Sequence, residues 1–205
     1  MCEDCLRKLP FTDTYTCRIC GKPLEEFSHS QCLSCREEKR HFVYSFVPLV
    51  YEDFSKKAVI RLKHSNHPYY SRALAYLIAD KMLSSPNYKE FDFITCIPQN
   101  SRTHTKRGYN QSELIAKELS KLIKVPFIKT LHRNNEGARQ ATLNRAERKK
   151  NVKKCYTKTN ITFNGERILL VDDVYTTGET ANYCAKLLKG MGAKEVYLAV
   201  SMIRS

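Results

Sequence analysis

No stretch of this 205-residue sequence approaches roughly 18 consecutive apolar residues, which argues against a membrane-spanning helix. Its opening, Met1-Cys2-Glu3-Asp4-Cys5, lacks the basic start, the apolar stretch and the cleavage site of a secretory signal, so a cytoplasmic protein is expected. Acidic residues are scarce, 21 against 35 lysines and arginines, for a formal net charge of +14. The imbalance is greatest in residues 101–158, where 16 basic residues face 4 acidic ones. Such a block suits phosphate-bearing partners, either nucleotides or a nucleic-acid backbone, although a solvated basic surface would have the same composition. Apolar residues are not lacking. A hydrophobic content of 42% excludes a disordered composition, and the length holds one ordinary domain with a small module beside it.

Cysteine is plentiful. Six of the nine form the Cys-x-x-Cys pairs Cys2/Cys5, Cys17/Cys20 and Cys32/Cys35. In a reducing compartment this spacing argues for metal over disulfides. Cys17/Cys20 and Cys32/Cys35, separated by 11 residues, can close one tetrahedral thiolate site, with Gly21 suiting a tight knuckle between them. Four thiolates leave no open position, so the zinc there would be structural. Cys2/Cys5 could instead join Cys17/Cys20 and leave Cys32/Cys35 over; the spacing does not choose. Residues 1–40 are therefore expected to be a zinc-ribbon module too small to bury a core without metal, with the charged run Arg36-Glu37-Glu38-Lys39-Arg40 as its boundary and 41–205 as the main domain. Cys96, Cys155 and Cys184 fall outside the array and are assigned no role; Cys184, on the helix face with Ala181, Ala185 and Leu188, is expected to be a buried thiol.

Along the main domain, Phe42 to Tyr51 reads as a strand crossed by Pro48, which hints at an edge position or a bulge. Amphipathic helices are expected around Lys56–Leu62 and Ser71–Leu83, then a buried strand over Phe91–Ile97. Asn110-x-x-Glu113 has the spacing of a capping box and opens another helix, and Val125–Ile128 reads as a further strand. From His132 to Lys158 the chain is polar and basic, and a long loop or lid is expected there. The end is clearer: strand Ile168–Val171, helix Thr180–Lys189, strand Val196–Val200, a parallel crossover unit. The fold class is α/β.

The segment that carries chemistry runs from Ile168 to Thr180. Four apolar residues form a central strand, and Asp172 and Asp173 follow at its carboxyl end, where open α/β sheets bind ligands. Thr176, Thr177, Gly178 and Thr180 then lead into a helix. The first turn of a helix presents unpaired N–H groups and partial positive charge, which suits a phosphate. The threonine hydroxyls add neutral donors, and Gly178 lets the backbone come close. An acidic pair repels phosphate but accepts hydrogen bonds from the two vicinal hydroxyls of a ribose. The whole string reads as a site for ribose 5-phosphate.

This string closely resembles the binding motif of type I phosphoribosyltransferases for PRPP, 5-phosphoribosyl diphosphate. The resemblance implies their fold, a mostly parallel sheet flanked by helices. It also implies that Asp172 and Asp173 are the catalytic pair on the ribose, that Thr176, Thr177, Gly178 and Thr180 hold the 5-phosphate, and that Mg2+ arrives with PRPP. A second string, Cys96-Ile97-Pro98 through Arg107-Gly108-Tyr109-Asn110-Gln111, is similar to the ComF/ComFC family. Further matches are Leu62-Lys63, Arg133 with Gln140, Arg148 with Asn151-Val152, and Arg204. By this resemblance the loop with Arg102, Lys106, Arg107 and Gly108 faces the pyrophosphate. Family members often carry one more Cys-x-x-Cys upstream, so a start further upstream, with Cys2/Cys5 as half of a second site, is an expectation of the resemblance.

The same resemblance implies a role in natural transformation, in the company of incoming single-stranded DNA and of a competence helicase or other transformation proteins. Zinc ribbon, basic block and aromatics such as Tyr109 would then track a strand. The alternative is a genuine phosphoribosyltransferase of nucleotide metabolism or salvage, moving ribose 5-phosphate onto a nitrogenous acceptor. No general base or base-recognition hood is evident in the sequence.

Overall fold

A computed structural model describes residues 3–12, 15–25, 29–64, 68–99, 108–134 and 155–204, with residues 63 and 64 described in backbone only. In chain order the elements are α1 (Glu3–Arg7), α2 (Leu33–Glu37), β1 (Ser45–Phe46), β2 (Leu49–Val50), α3 (Asp53–His64), α4 (Tyr70–Leu83), β3 (Phe93–Cys96), α5 (Gln111–Ile123), β4 (Leu131–Arg133), β5 (Tyr156–Lys158), β6 (Arg167–Tyr175), α6 (Glu179–Lys189) and β7 (Glu195–Ile203). The two longest strands, β6 and β7, pair in parallel at the centre. β3 flanks β6 and the short β1 and β2 flank β7, all parallel.

Ile168-Leu169-Leu170-Val171 is apolar without alternation because both faces of the sheet are covered. On one face α4 and α5 pack Leu74, Ile78, Met82, Ile115 and Leu119 against Ile94, Leu169, Val171 and Ala199. On the other, Ala181, Cys184, Ala185 and Leu188 of α6 pack against Ile168, Leu170, Val196 and Leu198. Each fully buried leucine or isoleucine contributes roughly 1.5–3 kcal/mol, so the strand–helix–strand unit is the most heavily anchored part of the chain. The buried cysteines Cys17, Cys20, Cys32 and Cys35 belong to the same cluster as α6.

Pro48 does split its strand, with β1 before it and β2 after it, yet the pairing offset to β7 is unchanged from Ser45↔Leu198 to Leu49↔Met202. The open side of this edge is covered by the N-terminal segment. Phe11 bridges Leu49, Val50 N–H donates to the Pro10 carbonyl (2.8 Å), and the Thr12 hydroxyl donates to the Val47 carbonyl (2.6 Å). Val125–Ile128 forms a single parallel bridge, Ile94↔Phe127, in place of the expected strand. The ends of the expected lid are ordered: β4 and β5 make an antiparallel ribbon, Arg133 opposite Tyr156, and the residues between 134 and 155 lie outside the described set.

The central strands share one irregularity. Phe46 and Leu49, Ala199 and Met202, Val171 and Val174 are each three apart, yet both members of each pair face α4 and α5. These residues are register partners, Phe46 and Val171 opposite Ala199, Leu49 and Val174 opposite Met202. All three strands therefore insert one extra residue at the same level, and pairing is preserved while alternation is reset. On β6 that level is Asp172–Asp173.

Candidate functional site

The strand carrying the aspartates runs on to Tyr175, further than the expected end at Val171. Its neighbour β3 ends at Cys96, opposite Val171. Beyond that point β6 is paired to β7 alone, and a crevice opens on the side β3 has left. In a regular strand two successive side chains point to opposite faces. Because alternation is reset here, Asp172 and Asp173 both line this one crevice, whose volume is about 340 Å³.

Thr176, Thr177, Gly178 and Thr180 line it too. The threonines at 176 and 177 are exposed, and the turn ends on Gly178, the N-cap of α6, at φ 78°. A side chain at Gly178 has no room, since a β-carbon would stand 2.0 Å from the Tyr175 hydroxyl. Gly178→Ala is expected to cost about 2 kcal/mol from the left-handed backbone and the displaced ring, seen as a melting temperature lower by roughly 4–8 °C. An unchanged melting curve would mean the turn is not held against Tyr175.

The carboxylates are held in place by short-range hydrogen bonds. Asp172 Oδ1 accepts from the Ser112 hydroxyl and from Asp173 N–H, both at 2.9 Å, and Asp173 Oδ1 accepts from Val174 N–H at 2.8 Å. Ser112 is on the first turn of α5, whose cap, Asn110, accepts from Ser112 N–H (3.1 Å) and donates to the Ile97 carbonyl (3.1 Å). The helix start is thus tied to the end of β3. The expected capping box is half formed: Glu113 pairs with Lys117 (2.8 Å) and Lys129 (3.0 Å). Gly108 precedes this helix at φ 77°, and among the described residues nothing lies within 4 Å of where its β-carbon would be. Arg102, Lys106 and Arg107 lie outside the described residues, as do Gln140, Arg148, Asn151 and Val152. Lys63 sits on α3 and is described in backbone only. Arg204 serves through its backbone, donating to the Tyr175 carbonyl at 2.9 Å.

Sequence reasoning did not place Ser112, Arg133 and Tyr156 at the crevice. The Arg133 guanidinium lies 5.2 Å from the centre of the Tyr156 ring, and burial pushes the Tyr156 hydroxyl up from its ordinary value. Arg133 Nε is buried with no hydrogen-bond partner among the described residues. Nothing local marked the pair, because they are brought opposite each other across a gap of more than twenty residues. Tyr109 is half-buried against the α4–α5 core, and its hydroxyl donates to the Leu62 carbonyl at 2.7 Å.

The sulfurs expected to ligate a metal are also gathered. Cys17, Cys20, Cys32 and Cys35 have Sγ atoms within 4.8 Å of one another, with Cys20 and Cys32 at 3.6 Å. Tetrahedral zinc with bonds of roughly 2.3 Å separates its sulfurs by about 3.8 Å, so the set fits such an ion. The thiols also oppose one another electrostatically. Hydrogen bonds from Cys20 and Cys35 pull Cys17 far down, while Cys17 raises Cys20 strongly and Cys35 to about 12. A divalent cation would let all four ionise together. The choice left open by the spacing is thereby made: Cys17/Cys20 meets Cys32/Cys35. Cys5 is not with them but in a groove beside Leu9 and Tyr70, and Cys2 lies outside the described residues. Gly21, at φ 75°, closes the first knuckle, with Gly21 N–H donating to the Cys17 carbonyl at 2.9 Å. Tyr175 joins this centre to the crevice, sharing the cysteines' buried cluster and standing edge-on to Phe42 at 6.4 Å. Cys96, Cys155 and Cys184 are buried, and burial pushes the Cys96 and Cys184 thiols up, as packing thiols require.

Among the described residues no helix is long and apolar enough to cross a membrane. Residues 90–205 match the family model described as phosphoribosyl transferase domain. Competence protein F of Haemophilus influenzae is 26% identical over 95% of this chain and 85% of its own length. DNA utilization protein YhgH of Escherichia coli K12 is 28% identical over 96% of this chain and 87% of its own. Competence protein ComFC of Bacillus subtilis is 26% identical over 100% of this chain and 84% of its own.

Proposed function

The chain belongs to the phosphoribosyl transferase domain family, and from that premise we propose that it binds PRPP with Mg2+ and acts in the cytoplasm during DNA uptake, handling incoming single-stranded DNA. One observation carries the ligand half of this reading. Two adjacent aspartates and the Thr-Thr-Gly-Glu-Thr turn line a single crevice at the mouth of a parallel sheet. The names of the similar proteins, which speak of competence and DNA utilization, support the other half.

In this reading Thr176, Thr177, Thr180 and the first-turn N–H groups of α6 bind the 5-phosphate, with Gly178 giving the phosphate access to the backbone. Asp172 and Asp173 accept hydrogen bonds from the ribose hydroxyls, and Ser112 orients Asp172. Arg102, Lys106, Arg107 and Gly108 belong to the pyrophosphate side. Mg2+ would neutralise the diphosphate when bound. Residues 1–40 serve as a structural zinc module built on Cys17, Cys20, Cys32 and Cys35, and 41–205 as the phosphoribosyl domain.

A second reading, transfer of ribose 5-phosphate, is favoured by the Arg133–Tyr156 pair, which gives the crevice a flat cationic wall suited to a planar acceptor. There an acceptor nitrogen forms a bond to the anomeric carbon as the bond to pyrophosphate breaks, and pyrophosphate leaves with the electron pair. Calorimetry with PRPP and Mg2+ tests the main reading: a saturable heat is expected, and its absence in metal-replete protein would remove the ligand assignment. Pyrophosphate release on adding nucleobases would decide for transfer.

A further inference from the structure

A second surface has no part in the phosphoribosyl site. Between α1 and the α3–α4 pair runs a groove of about 540 Å³ whose walls include Leu9, Leu49, Phe54 and Leu77. Among the described residues it shares no lining residue with the crevice, and its only charged lining residues are Lys57 and Arg61. Residues 56–72 hold Lys56, Lys57, Arg61, Lys63 and Arg72 and not one acid.

The aromatic residues there are arranged as a stack. Tyr69 and Tyr70 have ring centres 4.8 Å apart and planes inclined by 28°. The Arg61 guanidinium lies 5.9 Å from the Tyr70 ring centre and donates to the Tyr70 hydroxyl at 2.7 Å. The result is a stacked tyrosine pair whose inner ring, Tyr70, is held at its hydroxyl by Arg61 and whose outer ring, Tyr69, is 63% exposed. Along α4, Tyr69, Arg72 and Tyr76 follow at helical spacing, all exposed. By contrast, the aromatics of the basic stretch 101–158 are committed to the fold. Tyr109 is hydrogen-bonded to Leu62, Tyr156 is buried, and Phe127 sits in the sheet edge beneath Lys117.

We propose that the α3–α4 face, through the stacked Tyr69–Tyr70 pair and the neighbouring Arg61, is where single-stranded nucleic acid docks. A base continues the stack on Tyr69, and Lys57, Arg61 and Arg72 meet the phosphates beside it. Flat rings next to Lys57 and Arg61, with no acid among the described residues lining the groove, match a polymer of flat bases on an anionic backbone better than they match an acidic or apolar helix. This placement rests on the proposed function, that the protein handles single-stranded DNA.

The test uses the full chain and a fluorescein-labelled 20-nucleotide oligo-dT, read by anisotropy at several salt concentrations. Tyr69→Ala is expected to weaken binding roughly tenfold, Tyr69→Phe to preserve it, and Lys57→Ala to lower the salt slope by about 0.7. PRPP heat and melting temperature serve as controls and should not change. If wild type binds the strand and Tyr69→Ala and Lys57→Ala bind it equally well, this surface is wrong while the DNA role survives. If wild type does not bind at all, the DNA role falls and takes this surface with it. If the substitutions leave strand binding intact but abolish self-association in the ultracentrifuge, the groove belongs to a second copy of the chain and the proposal is overturned.

Discussion

The double substitution Asp172→Asn, Asp173→Asn is expected to reduce PRPP affinity by roughly 10²–10⁴-fold without unfolding the protein. A hydrogen bond to a charged acceptor contributes about 1.5–3 kcal/mol, and two such acceptors are neutralised together. Folding survives because the carbonyl oxygen of asparagine can still accept from Ser112, from the N–H of residue 173 and from Val174 N–H, the contacts that hold this strand end. Calorimetry of the double variant with Mg2+ present, next to a melting curve, separates the two effects. An unchanged heat would remove the aspartates from the ribose and leave the crevice without its proposed ligand. The size of the effect comes from the reset of alternation at this level: a regular strand would offer the sugar one carboxylate, and this one offers both.

The second large effect concerns the cysteines. Native mass spectrometry is expected to find zinc on the chain. Replacing Cys20 or Cys32 with serine is expected to remove it and lower the melting temperature by roughly 10 °C, because structural zinc contributes its binding free energy to folding. Cys5→Ser should change neither the zinc held at the four-sulfur centre nor the melting temperature, since Cys5 lies elsewhere. Acid should act as the substitutions do. The ligands bind as thiolates, so protonation competes with the metal and zinc is lost as pH falls. Tyr175 carries the effect to a distance, since it contacts the cysteine centre's core on one side and fills the space at Gly178 on the other. Chelation should therefore also weaken PRPP binding. Full zinc occupancy in Cys20→Ser, or a melting temperature indifferent to chelation, would overturn the assignment.

Much of this was readable one residue at a time. The apolar run Ile168–Val171, the glycine among threonines at 178 and the cysteine spacing are local signals, each tied to one turn or one strand. Where local reasoning failed, the deciding partner was distant in sequence. Glu113 has capping-box spacing, yet Lys129 lies within 3.0 Å of it, and the ion pair outcompetes the helix N–H. Ser112 looks like any first-turn serine until β6 places Asp172 beside its hydroxyl. Arg133 and Tyr156 look like part of a long loop because strand pairing across more than twenty residues leaves no periodic trace.

By itself the order of residues determined the α/β class, the strand–turn–helix at Ile168–Thr180 and the paired cysteines that could hold a metal, because each depends on side-chain volume, backbone freedom and spacing within a single element. Only the folded chain decided which cysteine pairs meet, that both aspartates enter one crevice, and that Tyr69 and Tyr70 stack beside Arg61 at the start of α4. Those outcomes depend on register between strands and packing between helices, and both are set by burial summed over the whole core.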